Sequence, residues 1–332
     1  MALRSQAPIE RHPLTMTALP CPDPGPGEIL VRVSACGLCR TDLHVIEGDL
    51  ALRRCPLVPG HQVIGHVAGA GPAASRFRPG ARVGIAWLRS TCGTCSHCRG
   101  GDENLCGEAH FTGWDADGGF AEYAAVPESY AYAIPEVFTD VEAAPLLCAG
   151  IIGYRALKRS RVRSGERLAL YGFGSSAHVT LQVARAWGCE VLVATREASH
   201  RELARSLGAT WVGDLVTPLP AKAHGAIVFA PAGALVPRAL EDLDHGGTLA
   251  LAGIYMTDVP ALQYETHLFH ERTITSVTAN TRVDGEELLA EAARIPIRTR
   301  TTSFPLADAN VALESIKRGT MPGSGVLVLK ER

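Results

Sequence analysis

Short runs of alternating apolar and polar residues, punctuated by glycine and proline, make up the first half of the chain. Two such runs lie at residues 29–33 and 63–67, and the sequence Pro-Asp-Pro-Gly-Pro-Gly at 22–27 stands directly before the first of them. Alternation of this kind predicts β-strands, and the glycine and proline between the runs predict turns. We therefore expect a β-rich domain with irregular loops in this half.

The pattern changes near residue 150, where short apolar runs begin to alternate with helical periodicity. Strands are predicted at 168–171, 191–194, 226–229 and 249–252, and helices at 178–187 and 201–207. Strand and helix in alternation are typical of an α/β fold with a parallel, doubly wound sheet. This part of the sequence therefore predicts a Rossmann domain.

The tail of the chain has a third pattern. It is helical from about residue 288, and it continues with an apolar segment around Phe304, a helix at 307–317 and a strand at 326–329. We expect this tail to rejoin the first domain. The predicted organisation is a β-rich domain made of residues 1–150 and 284–332, with a Rossmann domain of residues 151–283 inserted into it.

Length and composition are those of a globular protein with about two domains. The chain has 332 residues, of which 46% are hydrophobic and 20% are charged, and its formal net charge is −2. A charge so close to zero gives no reason to expect a nucleic-acid or membrane partner. The sequence has no apolar run near the roughly 18–20 residues of a membrane span. Its first residues lack the basic start and apolar run of a secretory signal, so we expect a cytoplasmic protein.

Four of the ten cysteines lie in one short stretch. Cys92, Cys95, Cys98 and Cys106 follow the spacing C-x2-C-x2-C-x7-C. In a reducing compartment, such clustering indicates metal binding more often than disulfide bonds. Four thiolates satisfy the tetrahedral preference of zinc and leave no position for a substrate, so the spacing predicts a structural zinc site. Disulfide bonds and an iron–sulfur cluster are the alternatives.

A second set of metal-binding residue types is spread along the first half. Cys39 opens the run Cys-Arg-Thr-Asp-Leu-His, His61 stands in Pro-Gly-His-Gln, and Cys148 stands in Leu-Cys-Ala-Gly. Two thiolates and one imidazole leave one tetrahedral position open for water or substrate, which is the donor set of a catalytic zinc. The two sets together predict two zinc ions per subunit. We assign no metal to the remaining cysteines, which are Cys21, Cys36, Cys55 and Cys189.

A glycine-rich turn follows the strand predicted at 168–171. Gly172, Gly174 and Ala177 form a G-x-G-x-x-A motif between that strand and a predicted helix. The first glycine makes the turn, the second lets the backbone approach a pyrophosphate, and the alanine permits close helix packing. The partial positive charge of the helix N-terminus favours the phosphates. This setting predicts a dinucleotide-binding site.

The end of the next predicted strand bears on the choice of cofactor. Proteins that bind NAD place an acidic residue there for the ribose 2′-hydroxyl, whereas this chain has Thr195 followed by Arg196. A guanidinium can donate two hydrogen bonds to a 2′-phosphate. The sequence therefore favours NADP(H) over NAD(H), although one slip in register would bring the acidic Glu197 to this position.

Together and in this order, these motifs resemble the zinc-containing alcohol dehydrogenases of the medium-chain dehydrogenase/reductase superfamily. The resemblance covers nearly the whole chain. Besides the metal and dinucleotide motifs, it includes Pro-Gly-Glu at 26–28 and Asp-Gly-Gly-Phe-Ala-Glu-Tyr at 117–123. It implies that the β-rich domain is GroES-like and that Cys39, His61 and Cys148 hold the catalytic zinc.

The same resemblance implies roles for residues beside that zinc. Thr41 would hydrogen-bond the substrate hydroxyl, and His44 would pass its proton onward through the cofactor ribose. Asp42 would orient the imidazole of His61. Many relatives carry a glutamate after this histidine, and here the residue is Gln62. Because a neutral amide cannot compensate the metal charge in the same way, this departure concerns the exchange of water and product.

Further positions match the substrate and cofactor surfaces of the family. Trp87 and Leu88 match residues that line the substrate pocket, where a large indole would favour small or flat substrates. Gly253 and Ile254 match the place where the backbone meets the nicotinamide.

The resemblance implies a zinc-dependent alcohol dehydrogenase, or aldehyde reductase, that transfers a hydride reversibly between a small alcohol and NAD(P). A homodimer or homotetramer is expected from the same resemblance. One alternative keeps the fold and changes the substrate to a polyol or an amino alcohol. Another is a non-catalytic relative that binds zinc and nucleotide; Gln62 favours it, while the intact run from Cys39 to His44 argues against it.

Overall fold

The structure is a computed structural model that describes residues 1–295, 297–321 and 323–329. Contacts divide the chain into two compact units. The first comprises Met1–Cys148, Ala279–Ala293 and Arg298–Arg332, and the second comprises Ala149–Thr278 and Arg294–Ile297. The chain thus leaves the first unit near the predicted boundary at residue 150 and returns near the predicted boundary at residue 284.

The strands of the described residues differ widely in length, from two residues in β1 to ten in β3. Up to residue 133 they are β1 Ala2–Leu3, β2 Leu14–Thr15, β3 Glu28–Gly37, β4 Gln62–Ala70, β5 Arg82–Ile85, β6 Leu88–Ser90, β7 His110–Phe111, β8 Tyr123–Pro127 and β9 Ala131–Ala133. The later ones are β10 Arg167–Tyr171, β11 Glu190–Ala194, β12 Trp211–Gly213, β13 Ala223–Val228, β14 Leu243–Leu251, β15 Thr273–Ser276, β16 Thr301–Pro305 and β17 Ser324–Val328.

The α-helices lie between these strands. They are α1 Arg40–Glu47, α2 Ser96–Arg99, α3 Asp140–Ala143, α4 Ala149–Arg159, α5 Ser175–Ala186, α6 Ala198–Ser206, α7 Leu235–Glu241, α8 Tyr264–His267, α9 Arg282–Arg294 and α10 Ala309–Arg318. Single 3-10 turns occur at Ile9–Arg11, Glu103–Leu105, Glu128–Tyr130, Ala144–Leu147 and Leu306–Asp308. Among the described helices, none is both long enough and apolar enough to cross a membrane.

The first unit is built on a seven-stranded sheet in the order β16-β17-β3-β4-β5-β9, with β8 also paired to β3. Its neighbours are antiparallel except for β16 and β17. Along β3, Ile29, Val31 and Val33 are buried while Arg32 is exposed. The alternation in the sequence therefore corresponds to a core face and a solvent face, and the strands predicted at 29–33 and 63–67 are confirmed within β3 and β4.

The second unit contains a six-stranded parallel sheet in the order β12-β11-β10-β13-β14-β15. The strand order reverses between β10 and β13, and ligands of doubly wound folds bind outside the carboxyl ends of the strands at such a point. All four strands predicted for this region overlap β10, β11, β13 and β14. The predicted parallel α/β domain is therefore confirmed.

The helix predicted at 178–187 corresponds to α5, which begins at Ser175, directly after Gly174. This early start places the helix N-terminus next to the glycine turn, as a phosphate-binding turn requires. In the tail, the predicted helix at 307–317 corresponds to α10, and the predicted strand at 326–329 overlaps β17. Both elements belong to the first unit, which the tail rejoins.

Candidate functional site

Cys39, His61 and Cys148 come together in the first unit although they are far apart in sequence. The Sγ atom of Cys39 lies 3.4 Å from Nε2 of His61 and 4.0 Å from Sγ of Cys148. All three donor atoms lie within 4.8 Å of one another. A tetrahedral zinc with ordinary bond lengths requires sulfur–sulfur distances of about 3.8 Å and sulfur–nitrogen distances of about 3.5 Å. The three side chains therefore fit a zinc ion with one position left open.

Local structure explains how each ligand is held. Cys39 is the N-cap of α1, where its Sγ accepts the backbone N–H of Thr41 at 3.3 Å, and its own N–H donates to Oδ2 of Asp42 at 2.9 Å. His61 stands directly before β4, and Cys148 stands between a 3-10 turn and α4. Each of the three side chains thus stands where a regular element begins or ends, and that of Cys39 is also held by its capping contact.

Gly60 explains the sharp approach of the chain to His61. Its φ is +97°, and a Cβ atom there would lie 2.4 Å from the ring of Phe120. A side chain at this position would be strained by the backbone conformation and would also collide with Phe120. Gly60 is therefore required for the backbone to approach His61 in this way.

Asp42 lies directly behind His61. Its Oδ1 is 3.1 Å from Nδ1 of His61, and the two side chains are 2% and 1% exposed. Burial lowers the pKa of His61, but the charges of Asp42 and Cys39 outweigh burial and raise this pKa to about 10. Because Nδ1 donates to the carboxylate, Nε2 is the nitrogen available to a metal.

The pKa values of the two thiols in this set are shifted in opposite directions. A hydrogen bond from the Cys148 thiol and the charge of His61 hold the pKa of Cys39 well below its usual value despite burial. The same hydrogen bond, together with burial, raises the pKa of Cys148. Zinc binds thiolates and a neutral imidazole, so a divalent cation would displace protons from this group when it binds.

Gln62 follows His61 and is also buried, with 1% of its surface exposed. Its Nε2 atom has no hydrogen-bond partner among the described residues. Gly37, its cross-strand partner, leaves room for the amide, since a Cβ there would lie 3.0 Å from Cβ and Cδ of Gln62. A buried amide N–H without a partner costs free energy, so Nε2 of Gln62 is an unsatisfied donor next to His61 in the sequence.

Thr41 and His44 both belong to α1 and stand three residues apart, so they lie on one face of the helix. Thr41 is buried, with 6% of its surface exposed. Nδ1 of His44 lies 2.7 Å from Oδ2 of Asp49, whose side chain is 65% exposed. The sequence analysis did not single out Asp49, because an aspartate after a helix end reads as an ordinary loop residue.

The four remaining predicted metal ligands form a second cluster. The Sγ distances are 3.5 Å for Cys95 to Cys98, 3.5 Å for Cys92 to Cys106, and 3.9 Å for Cys92 to Cys98. These distances are far longer than the roughly 2.05 Å of a disulfide bond, and all four cysteines are free. The backbone N–H groups of Thr94 and Cys95 lower the pKa of Cys92 to about 6. Sulfurs at this spacing fit a closed tetrahedral zinc site.

An ion pair that the sequence analysis missed anchors this cysteine lobe. Glu103, which is 7% exposed, accepts hydrogen bonds from Nη2 of Arg282 at 2.8 Å and from its Nε at 3.0 Å. The backbone N–H of Arg282 donates to the same carboxylate at 2.8 Å. The guanidinium also lies 4.7 Å from the ring centroid of Tyr130. The pair joins residues 179 positions apart, so no local pattern could indicate it.

Trp87 lies beside the metal group. Its ring centroid is 5.0 Å from that of His61, with an interplanar angle of 74°. Phe111 and Trp114 stack on it at 5.0 Å and 6.0 Å. Leu88, the other residue predicted to line the pocket, is 1% exposed and begins β6. The sequence analysis singled out Trp87 but missed the two rings that pack against it.

The dinucleotide motif adopts the predicted strand, turn and helix. Gly172 has a φ of +86°, and a Cβ there would lie 3.0 Å from the backbone N of Ala230, which follows β13. Gly174 is the N-cap of α5, and Ala177 is fully buried. The helix thus presents its N-terminus at the point where the strand order reverses. This is the geometry in which a pyrophosphate binds.

The residues predicted to contact the rest of a dinucleotide differ in exposure. Thr195 is 1% exposed, whereas the side chain of Arg196 is 80% exposed. Nη2 of Arg196 lies 2.7 Å from Oε1 of Glu197. Gly253 and Ile254 follow β14, and Ile254 is 57% exposed. The structure therefore leaves Arg196 and Ile254 accessible and buries Thr195.

Two family models match the chain. The alcohol dehydrogenase GroES-like domain matches residues 25–136, and the zinc-binding dehydrogenase model matches residues 177–294. "Probable alcohol dehydrogenase AdhA" of Mycobacterium tuberculosis is 50% identical over 98% of this chain and 96% of its own length. An alcohol dehydrogenase of Geobacillus stearothermophilus is 37% identical over 92% of each.

The fold is also similar to solved structures. A thermostable alcohol dehydrogenase from Pyrobaculum aerophilum, solved with cobalt and zinc bound, superposes with a TM-score of 0.88 and 27% identity. The match covers 99% of this chain and 98% of that one. The similarity therefore extends through both units.

Proposed function

The chain belongs to the zinc-type alcohol dehydrogenases of the medium-chain dehydrogenase/reductase superfamily, and we propose that it catalyses reversible hydride transfer between a small alcohol and a nicotinamide dinucleotide. The observation that carries the proposal is the donor set of Cys39, His61 and Cys148, whose spacing fits zinc and leaves one position open. We assign catalysis to the first unit and cofactor binding to the second.

Two zinc ions per chain are proposed, one in each cysteine-containing set. A zinc ion held by Cys39, His61 and Cys148 would supply Lewis acidity to the substrate oxygen, and the nicotinamide would accept or donate the hydride. The four-cysteine cluster has no open position and would only stabilise its lobe. Asp42 keeps Nε2 of His61 directed at the metal position by accepting from Nδ1.

The proton of the alcohol is assigned to residues of α1. The hydroxyl of Thr41 would accept a hydrogen bond from the substrate hydroxyl, and His44 would take up the proton at the outer end of the path. Histidine suits this end because its ordinary pKa lies near neutral pH. The carboxylate of Asp49, 2.7 Å from Nδ1 of His44, would hold the orientation of the ring. Thr41, the cofactor ribose, His44 and Asp49 would in that order form a polar route from the substrate to solvent.

The cofactor is proposed to bind over Gly172, Gly174 and Ala177, with the nicotinamide against Gly253 and Ile254. NADP(H) is favoured because the strand end carries Arg196 in place of an acid. The contact of Arg196 with Glu197 is exposed, and an exposed ion pair of this kind is worth little free energy. A 2′-phosphate can therefore displace Glu197 from the guanidinium.

The experiment that tests the function is a screen of zinc-loaded protein against primary alcohols, polyols, amino alcohols and aldehydes, each with NAD(H) and NADP(H). We expect turnover of small primary alcohols and their aldehydes. Turnover restricted to polyols or amino alcohols would change the substrate class. No turnover of any substrate with either cofactor would contradict the dehydrogenase function itself.

A substitution separates an enzyme from a zinc-binding scaffold. Cys39→Ser should abolish turnover and lower the zinc content from two to one per chain. Cys21→Ser is the matched control, because Cys21 is exposed and belongs to neither cysteine set. If Cys39→Ser retained activity, the assignment of the catalytic site would be wrong.

A further inference from the structure

An arginine outside the metal group covers the aromatic cluster that contains Trp87. The Cζ atom of Arg53 lies 3.7 Å from the ring centroid of Trp114, and its Nη1 donates to Oδ1 of Asp115 at 2.5 Å. We call Arg53, Trp114 and Asp115 the Arg53 clamp. It belongs to the first unit, and neither the metal chemistry nor the proton route described above uses it.

The clamp ties two loops together. Nε1 of Trp114 donates to the backbone oxygen of Ala51 at 2.9 Å, so the indole is held by the same loop that supplies Arg53. The other carboxylate oxygen of Asp115 accepts the backbone N–H of Phe111 at 2.8 Å. Each group of the clamp thus has two different contacts. Because these contacts link both loops to the ring of Trp114, they fix the ring more firmly than any one of them could alone.

Stacked aromatic rings connect the Arg53 clamp to His61. Trp114 and Trp87 are nearly parallel, with centroids 6.0 Å apart and an interplanar angle of 8°. Phe111 contacts both indoles, at 5.0 Å from Trp87 and 5.9 Å from Trp114. Trp87 in turn meets His61 with its centroid at 5.0 Å. Only one ring, that of Trp87, separates Trp114 from the imidazole that holds the metal.

Under the proposed function, Trp87 would line the substrate pocket, because its indole lies 5.0 Å from the ring of the proposed metal ligand His61. A rigid indole there admits a short chain or a flat ring and excludes branches close to the reacting carbon. A mobile indole would admit branched alcohols as well as short or flat ones. Loss of a ring stack shifts the populations of a side chain's conformations by roughly 2–12-fold, and loss of an exposed cation–π contact shifts them by roughly 2–5-fold.

We propose that Arg53, Trp114 and Asp115 are positioning residues for substrate specificity, which hold Trp87 in place and restrict the enzyme to short or flat alcohols. This inference rests on the proposed function. It predicts that branched alcohols are excluded because the indole of Trp87 is held rigidly, as well as because it is large. The clamp is therefore a determinant of specificity built from residues that do not touch the metal ligands.

The test compares Arg53→Gln and Trp114→Leu with Arg54→Gln. Arg54 is the matched control, since it is the neighbouring exposed arginine and pairs with Asp117 at 3.1 Å, and no described aromatic ring lies under it. The measurement is kcat/KM for 1-propanol, benzyl alcohol and the branched 2,2-dimethyl-1-propanol. The ratio of branched to linear alcohol should rise about fivefold in Trp114→Leu and about threefold in Arg53→Gln, while Arg54→Gln leaves it unchanged. Arg53→Lys retains a cation and should restore part of the discrimination.

A spectroscopic readout follows the clamp without turnover. Two indoles so close together give an exciton couplet in circular dichroism, which should weaken in Arg53→Gln and persist in Arg54→Gln. Zinc content and the thermal midpoint are recorded for every variant, and if Trp114→Leu does not fold, the arginine variants carry the test. An unchanged substrate ratio in Arg53→Gln, with or without loss of the couplet, overturns the inference and leaves the cluster a purely structural one.

The two proposals fail in different ways. If the wild-type protein oxidises no alcohol, the proposed function fails, while an unchanged couplet in Arg53→Gln would separately overturn the clamp. If linear alcohols turn over and the branched alcohol is already accepted as well as 1-propanol by the wild type, the function stands and the clamp inference is wrong.

Discussion

The Nδ1 atom of His61 lies 3.1 Å from Oδ1 of Asp42, and both side chains are buried. The other oxygen of Asp42 accepts the N–H of Cys39 at 2.9 Å. One carboxylate thus orients two proposed metal ligands, an imidazole and a cysteine, that stand 22 residues apart. Such contacts behind metal ligands commonly change metal affinity by about 10–100-fold when they are removed.

Asp42→Asn should therefore weaken zinc binding at the three-residue site by about tenfold or more. The asparagine keeps the size of the side chain but loses the charge that supports the imidazole. The measurement is competition with a graded series of chelators, together with the zinc content of the protein. Asp308→Asn, an exposed aspartate without a capping hydrogen bond, is the control. Zinc affinity within twofold of wild type would contradict the role of Asp42.

Arg282→Gln should destabilise the first unit. The substitution leaves the carboxylate of Glu103, which is 7% exposed, without its cation. Removing one partner of a fully buried pair costs 3–5 kcal/mol, and because Arg282 is itself partly exposed we expect about 2 kcal/mol here. Urea unfolding measures the loss. Arg78→Gln, at an exposed position, should change the free energy of unfolding by less than about 0.5 kcal/mol.

The double variant Glu103→Gln with Arg282→Gln completes this test. Two amides can still hydrogen-bond, and no charge remains buried, so part of the lost stability should return. If the double variant were as unstable as the sum of the two single variants, the pair would not be coupled.

Sequence motifs predicted which cysteines and which histidine the structure brings together, but they did not predict the side chains around those groups. The cysteine spacing and the runs around Cys39 and His61 identify metal donors because those residue types have few other uses in such clusters. The contacts of Arg53 with Trp114 and of Glu103 with Arg282 depend on how distant loops pack. A lone surface arginine gives no local sign of its partner, so sequence patterns could not indicate either contact.

In the second unit, too, sequence patterns predicted the regular elements but not the orientation of individual side chains. Alternating strands and helices predicted its parallel sheet, since periodicity records which faces are buried. The direction of single side chains at a strand end was not predictable in this way. Thr195 was considered as a residue facing the ribose, and the structure shows it to be 1% exposed, next to the accessible Arg196.

Arg196→Ala should lower kcat/KM for NADP(H) by about tenfold, because a charge-assisted hydrogen bond to phosphate contributes about 1.5–3 kcal/mol. The value for NAD(H) should stay within about twofold, since that cofactor lacks the phosphate. Arg205→Ala, an exposed arginine of α6, is the control. Glu197→Gln should increase the preference for NADP(H) by releasing the guanidinium. A tenfold preference of the wild type for NAD(H) would contradict the proposal that Arg196 binds the 2′-phosphate of NADP(H).

The buried imidazole of His178 should make the free energy of unfolding depend on pH. It lies in α5 and is 1% exposed, and burial outweighs the nearby backbone groups of Gly174 and Ser175, which favour its charged form. Burial lowers its pKa from 6.5 to about 4. The folded protein therefore keeps this imidazole neutral, while the unfolded chain takes up a proton below pH 6.5. Since the unfolded state binds more protons between these two values, stability falls as the pH falls through that window.

His178→Leu should remove this contribution. Between pH 7.5 and 5.5 the wild type should lose about 1–1.5 kcal/mol more unfolding free energy than the variant, and about 3 kcal/mol more once the pH is below 4. Urea unfolding of the zinc-loaded proteins at several pH values measures the difference, and zinc content is checked at each. His66→Leu, at a partly exposed position of β4, should keep the wild-type dependence. Parallel pH curves for His178→Leu and the wild type would contradict a buried neutral imidazole at this position.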